Sequence, residues 1–337
     1  MAIDFDPPVL LRNPHSMTLA AALWRRKFPR LPVSQPRFFD TEPGTRVRAE
    51  CHWQTNPASH PTLILLHGLE GSSQSGYMLG SAEKAWIAGF NVLRLNQRNC
   101  GGTEQLTPTL YHSGLSVDIR SVISELLSRD SLPEIFAAGF SMGGNLVLKM
   151  AGEWGTAAPS GFRALVAVAP ALDLAACADA LAKPANFIYE WHFVTNLRRR
   201  MRYKAGLFPD RYPSDQIGRL ASIRTIREFD DLITAKFCGF RDASDYYAQS
   251  SAKNIVRSIA RPALILTAED DPFVPIESFH FSALRENSNI TFIASRYGGH
   301  CGFVARRGSA NGNCGEDRFW AESQLVKFCL ADSQIKR

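Results

Sequence analysis

Absences narrow the reading first. No apolar run in the 337 residues approaches the roughly 20 needed to span a bilayer, and the longest, such as residues 164–170, suit a strand. The first residues carry Asp4 and Asp6 and no long apolar stretch, so no secretory signal peptide is expected. The seven cysteines are odd in number and scattered: Cys51, Cys100, Cys177, Cys238, Cys301, Cys314 and Cys329 form no C-x-x-C pair. That usage argues against a secreted disulfide framework and for reduced thiols in a cytoplasmic setting. No ligand spacing suggests zinc, and nothing implies a metal or an organic cofactor. No nucleic-acid-binding motif accompanies the basic residues, so nucleic acid is not an expected partner.

What is present describes a folded enzyme-sized chain. Hydrophobic residues make up 45% and charged residues 21%, the balance of a globular protein. A core of this size needs no disulfide support. The net charge is +6, and it concentrates in Arg25-Arg26-Lys27 and in Arg198-Arg199-Arg200-Met201-Arg202. Two readings stand for these runs: solvated helix faces, or contact with anionic lipid head groups or an acidic partner.

Element signals then order the chain. Residues 1–36 are proline-rich and lack a strand pattern; Met17–Phe28 reads as a helix with Ser16 as N-cap, packed outside the core or near a site mouth. Arg37–Asp40 and Thr45–Trp53 alternate in polarity around a Glu42-Pro43-Gly44 turn, an antiparallel hairpin. Continuous apolar strands are expected at residues 62–66, 90–95, 134–138, 164–169, 262–268 and 289–294. Helices are expected at residues 81–88, 115–129 and 320–330. Between Ala171 and Ser258 the strand pattern stops, and residues 186–204 form a long, basic, amphipathic segment. Its aromatic residues Phe187, Tyr189, Trp191 and Phe193 read mainly as core, with a minority facing substrate.

The chemistry centres on Gly139-Phe140-Ser141-Met142-Gly143-Gly144. A short apolar run precedes it and a helical pattern follows, so Ser141 sits at the tip of a strand-turn-helix, the nucleophile elbow. The turn is tight enough that side chains at positions 139 and 143 would strike backbone. A serine hydroxyl needs an imidazole to take its proton and a carboxylate to orient that imidazole. Asp271 and His300 lie past the ends of later strands in the chain order Ser…Asp…His. Asp270 and Glu269 compete with Asp271 for the acid; the Asp-Pro-Phe-Val-Pro spacing favours Asp271. Gly298-Gly299 gives the backbone before His300 room to turn the ring. The loop His67-Gly68-Leu69-Glu70-Gly71 follows a strand, which assigns one oxyanion donor to the N–H of Leu69 and the second to the N–H of Met142. His67 reads as a structural histidine, Cys100 as a packing residue, and His112 as either a loop or a pocket residue.

With these motifs in view, the chain resembles the YheT-like branch of the α/β-hydrolases, with its plant Emb8-type and animal abhydrolase relatives. The likeness runs through Leu11-Arg12-Asn13-Pro14-His15, residues 67–72, 96–101, 110–114 and 139–145. It continues through Phe229-Asp230-Asp231, Gly239-Phe240, Asp245-Tyr246-Tyr247, residues 270–273 and Gly299-His300-Cys301-Gly302-Phe303. Asn99 departs from the glycine that many relatives carry there, which bears on the pocket rim. The resemblance implies a mostly parallel sheet flanked by helices. It also implies a helical cap at residues 171–258, a core at 37–170 and 259–337, and an N-terminal extension at 1–36. It puts the charge relay on Ser141, Asp271 and His300 and implies hydrolysis of carboxylic esters, with short- to medium-chain acyl esters expected first. A membrane-associated lipase or phospholipase is the nearest alternative, and a non-catalytic binding protein of the same fold a second. Thioester cleavage and acyl transfer would use the same residues.

Overall fold

The structure, a computed structural model, describes residues 5–307 and 317–335. Asp4 and Cys314 lie outside the described residues. Eight strands form one sheet in the order β1-β2-β4-β3-β5-β6-β7-β8. Strands β1 (Gln35–Glu42) and β2 (Thr45–His52) are the expected antiparallel hairpin at one edge. The other six run parallel to one another: β3 (Thr62–Leu66), β4 (Asn91–Leu95), β5 (Ile135–Phe140), β6 (Phe162–Val168), β7 (Ala263–Ala268) and β8 (Ile290–Ser295).

The central strands are apolar on both faces, and helices cover both. Leu63 and Leu65 point to one side, into a cluster with Met78 and Leu325; Ile64 and Leu66 point to the other, toward Ile119 and Val147. The first side is covered by α2 (Gly76–Ile87) and the C-terminal helix (Trp320–Asp332), the second by α3 (Val117–Ser128) and α4 (Met142–Trp154). Each buried leucine contributes about 1.5–3 kcal/mol by leaving water. Register brings the functional loops level: Leu66 pairs with Gly139, and Phe140 with Val168, so the turns after β3, β5 and β6 emerge side by side.

The N-terminal helix differs from expectation. It is α1 (Pro14–Leu23), and its N-cap is Asn13, not Ser16. Asn13 Oδ1 accepts from the N–H groups of His15 and Ser16, both at 3.0 Å, and Pro14 occupies the first helical position. A capping side chain followed by proline is a stronger start signal than a serine already inside the first turn. Helix α1 lies against the loop that carries His300, whose N–H donates to Thr18 Oγ1 at 2.9 Å.

Residues 169–262 contain no strand. Helices α5 (Leu174–Leu181), α6 (Phe187–Leu207) and α7 (Ala243–Ser250), with a π-helical turn at Asp230–Ala235, lie beyond the carboxyl ends of the parallel strands. The C-terminal helix is α8.

Candidate active site

The turn after β5 carries Ser141 with φ 53°, a left-handed conformation rare for a residue with a side chain. Its neighbours explain why glycine flanks it. A Cβ on Gly139 would sit 2.1 Å from the Gly143 oxygen, and a Cβ on Gly143 would sit 2.5 Å from the His67 oxygen. Only chains without side chains at both positions can make this approach. Ser141 N–H donates to Val168 O at 2.9 Å, fixing the turn to β6. Helix α4 begins at Met142, so its N-terminus points at the serine.

The loop after β7 brings an acid to the loop after β8. His300 Nδ1 lies 2.9 Å from Asp271 Oδ2 and 3.2 Å from Oδ1. Asp271 Oδ1 also accepts from the N–H groups of Phe273 and Val274, at 2.8 and 3.0 Å, which locks the carboxylate in place. Burial works to lower the His300 pKa; the Asp271 carboxylate and, after it, the neighbouring Cys301 side chain outweigh it and hold the imidazole well above its usual 6.5. Asp270 does not face the ring. Its Oδ1 accepts from Gly299 N–H at 2.9 Å, and burial pushes its carboxyl up to about 6. The ring of Phe273 packs 4.6 Å from that of His300, centroid to centroid.

Ser141 and His300 line one cavity. Among the described residues no hydrogen bond joins Ser141 Oγ to the ring; such bonds are often long without substrate and tighten when it binds. The loop after β3 passes directly beside the serine, since a Cβ on Gly68 would stand 3.1 Å from Ser141 Cβ. Leu69 and Met142 both line the cavity and pack in one small cluster with Cys100 and Tyr111. Among the described residues neither the Leu69 nor the Met142 N–H donates to a protein acceptor, leaving two donors in the loops beside Ser141. His67 is fully buried; Nδ1 faces Gly68 O at 2.8 Å and Nε2 accepts from Gln97 N–H at 3.1 Å. It braces the two loops and stays away from the cavity. Cys100 is buried and its thiol is pushed up to about 12 by burial, so it packs rather than reacts. His112 lines the cavity; burial lowers it to about 4, so it is neutral at physiological pH.

The cavity opens to solvent, and with that open space counted it takes in about 1060 Å³. Its walls are mostly apolar, from Leu174, Cys177 and Leu181 of α5 and Phe193, Leu197 and Met201 of α6. Asp230 lines the wall, its carboxyl raised to about 6 by burial and accepting from Thr234 and Tyr247 hydroxyls, both at 2.8 Å. The aromatic run at the start of α6 splits by helical phase. Phe193 faces the cavity and Tyr189 is half-buried against Phe273, but Phe187 and Trp191 are 65% and 59% exposed, not core. The basic run splits too. Arg199 and Arg202 are exposed, whereas Arg200 and Lys204 turn inward onto the loops after β3 and β4. Sequence reasoning missed these two. The signal was their phase: they share a face with Leu197 and Met201.

Comparison with known proteins bears on the family and the fold. The family described as alpha/beta hydrolase fold matches residues 61–304. The YheT protein of Escherichia coli (strain K12), whose name proposes an esterase, is 31% identical over 99% of this chain and 95% of its own. The mouse phospholipase ABHD3 is 30% identical over 75% of this chain, which spans 60% of that protein's length. Among solved structures, the Pyrococcus furiosus esterase Pf2001 superposes with a TM-score of 0.58 over 97% of each chain, at 17% identity, a likeness of fold alone.

Proposed function

The chain belongs to the α/β-hydrolase family, in its YheT/EMB8-type branch, and from that membership we propose that it is a serine hydrolase of carboxylic esters. The observation that carries the proposal is that His300, held by Asp271, lines the same apolar cavity as Ser141. In this reading Ser141 Oγ attacks the ester carbonyl and His300 Nε2 takes its proton. Asp271 fixes the tautomer that leaves Nε2 free and stabilises the imidazolium. The N–H groups of Leu69 and Met142 hold the oxyanion, typically worth a few kcal/mol per donor. His300 returns the proton to the departing alcohol. Water, deprotonated by His300, then attacks the acyl-enzyme and frees the acid and the serine. The related esterase and phospholipase names support an ester or lipid substrate.

Residues 171–258 serve as the cap in this reading, and the extension at 1–36 buttresses the His300 loop through α1. The apolar walls of α5 and α6 serve as the acyl site. A panel of p-nitrophenyl esters from acetate to decanoate tests this. Turnover is expected to be highest for short to medium chains. A folded protein that hydrolyses none of them contradicts the proposal.

A second reading, action at a lipid surface, is favoured by one observation. Phe187, Ile188 and Trp191 stand exposed at the start of α6, with Arg199 and Arg202 exposed further along. Apolar side chains beside cations suit an anionic interface. Sedimentation with phosphatidylserine vesicles is expected to pull down the protein at low salt and less at high salt. Absence of binding at both removes this reading and leaves the soluble-ester one intact.

A further inference from the structure

Arg200 on α6 makes contacts that the chemistry above does not use. Its Nε donates to Glu70 Oε1 at 3.0 Å and its Nη2 to Glu70 Oε2 at 3.2 Å, a two-pronged grip. The pair is largely buried, with side-chain exposures of 18% and 6%. Glu70 Oε1 also accepts from Tyr111 OH at 2.7 Å. The third arm of the guanidinium, Nη1, donates to Asn99 O and to Glu104 Oε1. One turn along, Lys204 Nζ donates to Asn99 Oδ1 and Glu104 O, both at 2.6 Å, and to Thr107 O. Two cations on a single face of α6 thus hold the loops after β3 and β4.

What they hold matters. Glu70 directly follows Leu69, the residue assigned the first oxyanion donor. Glu70 has φ 56° and Asn99 has φ 63°, left-handed conformations that residues with a Cβ keep only when their surroundings hold them. The Leu69 N–H shares a peptide plane with Gly68 O, which accepts from Gly71 N–H at 3.1 Å, so that plane is tied to the turn that Glu70 occupies. Tyr111, which shares the carboxylate, packs in the same cluster as Leu69 and Met142.

We infer that Arg200 is a positioning residue: through Glu70 it sets the Leu69 N–H, so the helix that forms the acyl wall also sets the oxyanion hole. The inference rests on the serine-hydrolase reading. Phe193, Leu197 and Met201 line the cavity from the helix that carries Arg200. An acyl chain pressing on that wall stabilises the placement of α6 and, with it, the donor geometry. Binding energy far from the ester is then expressed in kcat rather than in KM. In the wild-type protein kcat is therefore expected to rise from acetate toward medium-chain esters.

The test uses full-length protein and p-nitrophenyl acetate, butyrate and octanoate. Glu70→Gln and Arg200→Gln are each expected to lower kcat by about 10- to 100-fold, less than the loss of a whole donor, with KM within about threefold. The rise of kcat with chain length flattens in both. The double variant is no worse than the more damaged single one, since both break the same link. Arg200→Lys restores part of the loss, because it keeps the charge and loses the fork. A boronic acid transition-state analogue binds more weakly to Glu70→Gln by about the same factor as kcat falls. Arg219→Gln, an exposed cation in the same insertion, leaves kcat unchanged. Should Arg200→Gln fail to fold, Glu70→Gln alone decides, since it keeps the shape of the acceptor. Wild-type kcat in folded Glu70→Gln, or a loss confined to KM, overturns the inference. Activity retained by Ser141→Ala would instead overturn the hydrolase reading beneath it.

Discussion

Ser141→Ala is expected to lower kcat for ester hydrolysis by about 10⁴- to 10⁶-fold, with the fold unchanged. The size follows from the role: without Oγ there is no acyl-enzyme, and water must attack directly. The residual rate comes from the oxyanion donors and from binding. The substitution removes one oxygen and no structural bond. Ser141 is tied into the turn by its backbone, through its N–H to Val168 O and its carbonyl oxygen from Asn145 and Ala171 N–H. Alanine has the same Cβ, so the left-handed backbone at φ 53° is neither relieved nor worsened. Initial rates with p-nitrophenyl butyrate and a thermal melt on the same sample check both halves. Activity within tenfold of wild type would remove Ser141 from the chemistry.

Asp271→Asn is expected to lower kcat by about 10³- to 10⁴-fold, and Asp270→Asn by no more than a few-fold. Asparagine at 271 can still accept from Phe273 and Val274 N–H through Oδ1, so the loop keeps its shape. Its amide then donates to His300 Nδ1 and imposes the tautomer whose Nε2 already carries a proton. That ring cannot take the serine proton. The pH profile moves as well. His300 works as a base only when neutral, so wild-type kcat/KM falls as pH drops through a His300 pKa held above 6.5. In Asp271→Asn burial remains and the largest raising partner is gone, leaving only Cys301 to raise the ring, so the acid limb shifts to lower pH. Asp270 binds the Gly299 N–H instead of the ring, so its loss leaves limb and rate near wild type. The opposite ranking of the two variants would reassign the acid.

Much of this arrangement was legible in the residues. Each parallel strand is a short apolar run, because both its faces are buried, and each chemistry-bearing motif follows such a run directly. The serine turn was readable because its steric demand falls on two neighbouring glycines. The start of α1 is ambiguous in the residues because Ser16 and Asn13 are both capping residues, and only the position of Pro14 separates them. The inward cations Arg200 and Lys204 were hidden in a basic run. Charge alone says solvent, and the face is set by what the helix packs against. Asp270 and Asp271 are adjacent and chemically identical; their roles depend on which carboxylate reaches a ring carried by a different strand.

Active-site titration of the folded protein with a fluorophosphonate, read by intact mass and peptide mapping, tests the central claim most directly. One adduct per chain is predicted, on Ser141, absent in Ser141→Ala and formed far more slowly in His300→Ala. A folded protein that takes no adduct, or carries it on another residue, contradicts the account.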